Sequence, residues 1–274
     1  MRFRPIIGWA VFFFILAIIA QAVPSSTGSF YFLKGKWHYA KGNYKGAAAA
    51  YEQSVSSDPK FARGYVELGL AYRGLENYPK AEEAFLKAVS IEDDSCAECG
   101  LGMVYHLQGK DEQAEAALKK AQMLNPRDTC PLSELGRMYY DLERYPEAIE
   151  TFRKEIKLRP SAVSFHFLGN SCRYVGRFEE ARASYHSALY LDPKYTALYV
   201  DLGHACNRLG RHAEAIDAYR KAIKTKPSDT DARLSLGLTE LSYGSRQAAV
   251  QQYEILREFD PDKAEILREA FSRH

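Results

Sequence analysis

The chain has 274 residues, 46% of them hydrophobic, enough to bury a sizeable core. Lysine plus arginine number 37 against 35 acidic residues, a formal charge of +2 with no block of one sign, which excludes the concentrated basic face of a nucleic-acid binder. Five cysteines are too few and too scattered for a small disulfide-stapled scaffold.

In chain order, residues 1–24 stand apart from everything that follows. Arg2 and Arg4 precede an apolar run from Ile6 to Ala20, and "VFFFILAII" has no polar face to set against a soluble core. Counted over residues 6–23 the stretch is 18 residues long, enough to span a bilayer as an anchor. Ala20-Gln21-Ala22 also has the small-x-small form of a signal-peptidase site, so a cleaved signal stays open beside the anchor. The arginines before the run, against Lys34 as the first basic residue beyond it, orient the body to the exported side, periplasmic in a bacterial inner membrane. Pro24 is expected to end this segment, with residues 25–27 as a short linker.

From residue 28 the sequence repeats every 33 or 34 residues. Glycines fall at Gly35, Gly69, Gly102, Gly136, Gly169, Gly203 and Gly237, each followed twelve residues later by an alanine, Ala47 through Ala249. Four residues on stands a large apolar side chain: Tyr51, Phe85, Leu118, Phe152, Tyr185, Tyr219 or Tyr253. Six of the seven units then carry a proline, and the second has Asp93 instead, which marks its junction as irregular. Within "ALYVDLGHACNRLG" and again within "AEAIDAYRKAIKTKP" the apolar residues recur at helical intervals, with Gly210 in the turn between. Each unit therefore reads as two antiparallel helices packed closely at glycine and alanine. The large apolar residue is expected to fill the space between one hairpin and the next. A lone hairpin cannot cover both faces, so stability has to come from stacking.

This pattern resembles the tetratricopeptide repeat (TPR). The fourth unit carries the signature with Leu132, Leu135, Gly136, Tyr139, Ala148, Phe152 and Pro160. The resemblance implies an all-α, right-handed superhelical α-solenoid of seven repeats over 28–263 (28–61, 62–94, 95–128, 129–161, 162–195, 196–229 and 230–263), with 264–274 as a capping helix. The first repeat departs most, with Lys34 and His38 at normally apolar positions.

No phosphate loop, G-x-S-x-G elbow or H-E-x-x-H is present, and the carboxylates lie on helix exteriors as solvated faces. The chain reads as a non-enzymatic scaffold with no cofactor, no metal and no small-molecule substrate. By resemblance, a protein or peptide partner occupies a concave groove lined by the first helix of each repeat. Those positions hold Lys36, Tyr39, Arg63, Arg73, His106, Arg137, Tyr140, His166, Asn170, Arg173, Tyr174, His204, Asn207 and Arg208. Their cations suit carboxylates on the ligand, and Asn170 and Asn207 offer amides to a peptide backbone. Glu67, Glu134 and Asp201 nearby nearly cancel the positive excess. The carboxylate clamp of chaperone-binding TPR domains is excluded, because Asp201, Asp231 and Ser235 stand where it needs amides and cations.

Cys96 and Cys99 form a C-x-x-C, and the register places both, with Cys130, on one stretch of this groove. A thiol-active or metal-binding centre is the competing reading. Asp93, Asp94 and Glu98 oppose thiolate formation, and His106 is about 10 Å along the helix from Cys99, too far to share a zinc site. A plain disulfide among Cys96, Cys99 and Cys130 remains open, as does an anchored adaptor facing the cytosol. Cys172 and Cys206 fall at inward-packing positions.

Overall fold

The computed structural model describes residues 24–273, and the anchor or signal expected at residues 6–23 lies outside them. The described residues form fifteen α-helices and no strand. None is long and apolar enough to cross a membrane. The chain divides into two compact units, residues 1–135 and 136–274, each taken by itself below.

The first unit holds α1 (Pro24–Ala40), α2 (Tyr44–Ser57), α3 (Ala62–Gly74), α4 (Tyr78–Ile91), α5 (Ser95–Leu107), α6 (Asp111–Leu124) and the opening turns of α7 (Cys130–Asp141). The linker expected at 25–27 is instead the first turn of α1. Pro24 opens this helix, a position where its missing N–H has no intrahelical partner to lose. Each odd-numbered helix packs on the helix that follows it, and α1, α3 and α5 touch in sequence, forming one layer of first helices. The core runs through Ala47, Tyr51, Ala71, Phe85, Ala88 and Val104.

The second unit continues with the rest of α7 and adds α8 (Tyr145–Leu158), α9 (Ala162–Tyr174), α10 (Phe178–Leu191), α11 (Leu198–Arg208), α12 (His212–Thr225), α13 (Thr230–Tyr243), α14 (Arg246–Phe259) and α15 (Pro261–Arg273). Its first helices α9, α11 and α13 likewise touch one another in order. On α15, Ala264 and Leu267 are buried and Phe271 packs beside them against Leu234, Leu238, Tyr253 and Leu256. A terminal helix with one apolar and one polar face closes an otherwise uncovered hairpin.

The repeated alanine twelve residues after each glycine is completely buried in all seven units. The large apolar residue reaches the following hairpin, as expected: the Phe85 ring stands against Gly100 of the next repeat, and Phe152 stacks on Phe167 with ring centres 5.4 Å apart. The same residue also lies over the glycine of its own hairpin: a Cβ on Gly169 would meet the Tyr185 ring at 2.6 Å, and one on Gly69 the Phe85 ring at 2.8 Å. The seventh repeat differs, because Gly237 faces Leu267 of α15 instead of Tyr253. Each buried ring contributes about 2–3 kcal/mol through its removal from water, and only a glycine leaves room for it.

In the first six repeats the turn between the two helices passes through the left-handed region at one equivalent residue. Glycine fills it at Gly42, Gly109, Gly176 and Gly210, and Glu76 and Glu143 adopt it with φ of 57° and 58°. The junction lacking proline is closed by a cap: the Asp94 carboxylate accepts from the Ala97 N–H at 2.9 Å and opens α5.

Candidate functional site

In the first unit the expected groove residues are dispersed. The Lys36 ammonium lies 5.9 Å from the centre of the Phe32 ring, and Tyr39 meets Tyr44 edge-on at 5.2 Å. Arg63 is exposed, whereas Arg73 donates to the Met103 thioether on the neighbouring first helix. His106 pairs within its own hairpin, Nδ1 to Asp111 Oδ1 at 2.7 Å.

The cysteines separate sharply. Cys96 is exposed, Cys99 is only 2% exposed, and Cys130 is half-buried in the first turn of α7. Cys99 Sγ lies 3.0 Å from Cys130 Sγ, and all three thiols are free. The C-x-x-C is thus split between solvent and interior. Burial first, then Asp94 and Asp128, raises the Cys96 thiol. Glu98, expected beside the pair, is buried and bound instead to Lys120 at 2.7 Å. Cys172 and Cys206 are buried core side chains, and burial pushes each thiol up to about 11. Among the described residues no group of three or more His, Cys, Asp or Glu side chains is arranged to hold a metal ion.

In the second unit the expected residues do converge. His166 Nδ1 meets the Tyr195 hydroxyl at 2.6 Å, and its Nε2 lies 2.9 Å from Asn170 Nδ2 and 3.6 Å from Asp201 Oδ2. The Tyr185 hydroxyl donates to Asn170 Oδ1 at 2.7 Å. One helix on, His204 Nε2 contacts Ser235 Oγ at 3.1 Å, and Asn207 Nδ2 donates to Thr239 Oγ1 at 2.7 Å. His212 Nδ1 lies 3.2 Å from Asn207 Oδ1. Both asparagines therefore already make hydrogen bonds inside the protein through their amide nitrogen and their oxygen. Burial lowers the His204 pKa, a shift that Asp201 opposes and Arg173 reinforces.

Aromatic rings carry the cations here. The Arg173 guanidinium stacks 4.5 Å over Tyr174, Arg208 lies 4.5 Å over Phe178, and Arg137 lies 5.9 Å from the Phe167 ring. Tyr174 stacks on Tyr145 at 4.6 Å, and Tyr140 packs edge-on against both Phe167 and Tyr174. Burial disfavours the Arg173 charge, but the neighbouring Tyr185 and Asp201 outweigh it and its pKa rises. On and at the start of the second helices of this unit arginines pair with carboxylates across repeats instead: Arg153 with Glu180, Arg182 with Glu214 at 3.4 Å, and Arg211, just before α12, with Glu179 at 3.2 Å. Tyr195 and Thr239, which the reading of the first-helix positions missed, complete the polar network. Tyr195 sits in the connection before α11, outside the periodic positions, so spacing carried no signal for it.

Family models described as tetratricopeptide repeat match residues 32–95 and 168–230, 99–128, and 132–162, more than half of the chain in all. The chain belongs to the tetratricopeptide repeat family. Among solved TPR structures, the C-terminal part of a TPR repeat-containing protein from Cytophaga hutchinsonii superposes with a TM-score of 0.72 at 18% identity, covering 86% of this chain and 98% of that one. YrrB, a TPR protein with an unusual peptide-binding site, gives a TM-score of 0.62 at 21% identity, over 69% of this chain and 99% of its own. Human protein O-mannosyl-transferase TMTC1 is 28% identical over 167 residues, 58% of this TPR chain. That match spans only 19% of the transferase.

Proposed function

We propose that the protein is a non-enzymatic interaction scaffold whose second unit holds a partner segment bearing carboxylates and apolar side chains along α9 and α11. The tetratricopeptide repeat is a protein-interaction fold, and the finer reading rests on one contrast in charge pairing. On and at the start of the second helices arginine is neutralised by glutamate of the adjoining repeat, as at Arg182 and Arg211. On the first helices Arg208 is held over the Phe178 ring, which fixes a guanidinium without supplying a counter-charge, and Arg173, stacked over Tyr174, has Asp201 as its neighbouring carboxylate. The Arg208 guanidinium so placed is a fork for carboxylate oxygens, and the exposed Tyr174 beside Arg173 offers a flat apolar surface.

The apolar stretch at residues 6–23 supports a tether that holds this scaffold at a membrane on its exported side, where it helps assemble or stabilise an envelope complex. Fluorescence anisotropy with labelled peptides that differ only in Asp or Asn content tests the binding. The acidic peptides should bind, and Arg208→Ala should weaken them several-fold while leaving the helical circular dichroism intact. Equal binding of acidic and neutral peptides, or no effect of the substitution, overturns the reading. Membrane fractionation with a C-terminal reporter fusion tests the tether and its side, and a reporter active only in the cytosol rejects the exported placement.

A further inference from the structure

The closest pairing of reactive groups in the first unit belongs to no repeat signature. Cys99 on α5 and Cys130 on α7 are 31 residues apart in sequence, yet their sulfurs lie 3.0 Å apart. A disulfide bond needs about 2.0 Å, so closure asks for an approach of about 1 Å, within reach of a side-chain adjustment on two first helices. The two positions differ in access. Cys99 is buried, and Cys130 is half-exposed in the opening turn of its helix, where the Asp128 carboxylate accepts from its N–H at 2.9 Å and fixes the backbone. Cys96, one turn before Cys99, is exposed and is not the partner of either.

We propose that Cys99 and Cys130 form a thiol–disulfide exchange site that takes a low-molecular-weight disulfide of the oxidised-glutathione class and closes to a covalent tie between neighbouring repeats. The accessible Cys130 thiolate attacks one sulfur of the small disulfide. A mixed disulfide forms on Cys130, and the first small thiolate leaves and takes up a proton. Cys99 then gives up its proton and its sulfur attacks the Cys130 sulfur. The bond between Cys130 and the remaining small thiol breaks, and that thiolate leaves with the proton from Cys99. Two protein thiols are oxidised to one disulfide and the small disulfide is reduced to two thiols.

The surroundings assign the same roles. The shared sulfur contact lowers the Cys130 thiol, assisted by Arg73, whereas burial, Glu134 and Asp128 oppose the shift. That contact and burial both raise Cys99, which keeps its proton until the mixed disulfide has formed. A helix N-terminus adds to the pull on Cys130.

The full-length chain, reduced and then incubated with excess oxidised glutathione, tests the site. Cleavage after Glu98 separates Cys96 from Cys99, so mass spectrometry after alkylation identifies the linked pair. One disulfide joining Cys99 to Cys130 is expected, with Cys96 alkylated, and Cys96→Ser should leave it unchanged. Cys130→Ser should abolish it, with circular dichroism confirming that this variant remains helical. A pair that includes Cys96, or no internal disulfide after prolonged exposure, overturns the assignment. Peptide binding is a separate measurement, so failure here leaves the proposed groove standing.

Discussion

The Tyr185 hydroxyl donates to the Asn170 side chain at 2.7 Å while its ring covers the helix at Gly169. One residue thus fills the hairpin and satisfies a buried amide beside the His166 network. Tyr51 occupies the equivalent place in the first repeat, and its buried hydroxyl has no partner among the described residues. Tyr185→Phe should therefore cost about 1–2 kcal/mol, by stranding the Asn170 oxygen, whereas Tyr51→Phe should be neutral or stabilising. Urea unfolding of the two variants separates them, and equal losses would refute the distinction.

Gly169 gives a prediction whose sign is in question. In an exposed helix, alanine for glycine gains about 1 kcal/mol from propensity. Here the added Cβ would lie 2.6 Å from the Tyr185 ring, which is itself buried and cannot retreat. Gly169→Ala should destabilise the protein by about 1–3 kcal/mol, read as a fall in the urea midpoint at unchanged slope.

The repeat register was legible because the first six units reuse one contact, and Gly169 under Tyr185 recurs as Gly69 under Phe85. What the spacing concealed was what a tyrosine hydroxyl at that place reaches. Asn170 and Asn207 sit at the expected positions, yet Tyr185 and Thr239 claim their amides, and neither of these partners lies at a groove position. The cysteines show the same limit. The register brought Cys96, Cys99 and Cys130 to one region, but the rotation that sends Cys96 to solvent and Cys99 inward depends on how α5 seats against α7.

Glu143 holds φ at 58° at the turn where four other repeats use glycine. A side chain in this region crowds the backbone and costs about 1 kcal/mol. Glu143→Gly should accordingly raise stability by about 0.5–1 kcal/mol, even though glycine loosens the unfolded chain. Thermal melts at pH 7 check it, and a lowered melting temperature would contradict the strain.

His204 sets a direction for pH dependence. Burial, with Arg173 nearby, lowers its folded-state pKa below the ordinary histidine value, and Asp201 and Asp231 offset only part of that. The unfolded chain then binds more protons between the two values, so stability is full above about pH 6.5 and falls as the solution is acidified through that range. His186, lowered in the same direction by burial, contributes the same sign. His204→Gln should flatten the fall in denaturation midpoint between pH 7 and about pH 5. An unchanged slope would mean that His204 titrates alike folded and unfolded.

The Cys99–Cys130 tie carries a thermodynamic consequence separate from its chemistry. Closing it would constrain an unfolded loop spanned by the 31-residue separation of the two cysteines. Loop-closure entropy for that length corresponds to about 3–4 kcal/mol, reduced by any strain the bond imposes on α5 and α7. The oxidised chain should therefore melt several degrees above the reduced chain, and addition of a reductant should reverse the gain. Cys130→Ser should melt at the same temperature under oxidising and reducing conditions, while Cys96→Ser keeps the full difference. A wild-type chain whose melting temperature ignores the redox buffer would contradict the prediction that this bond forms and stabilises the fold.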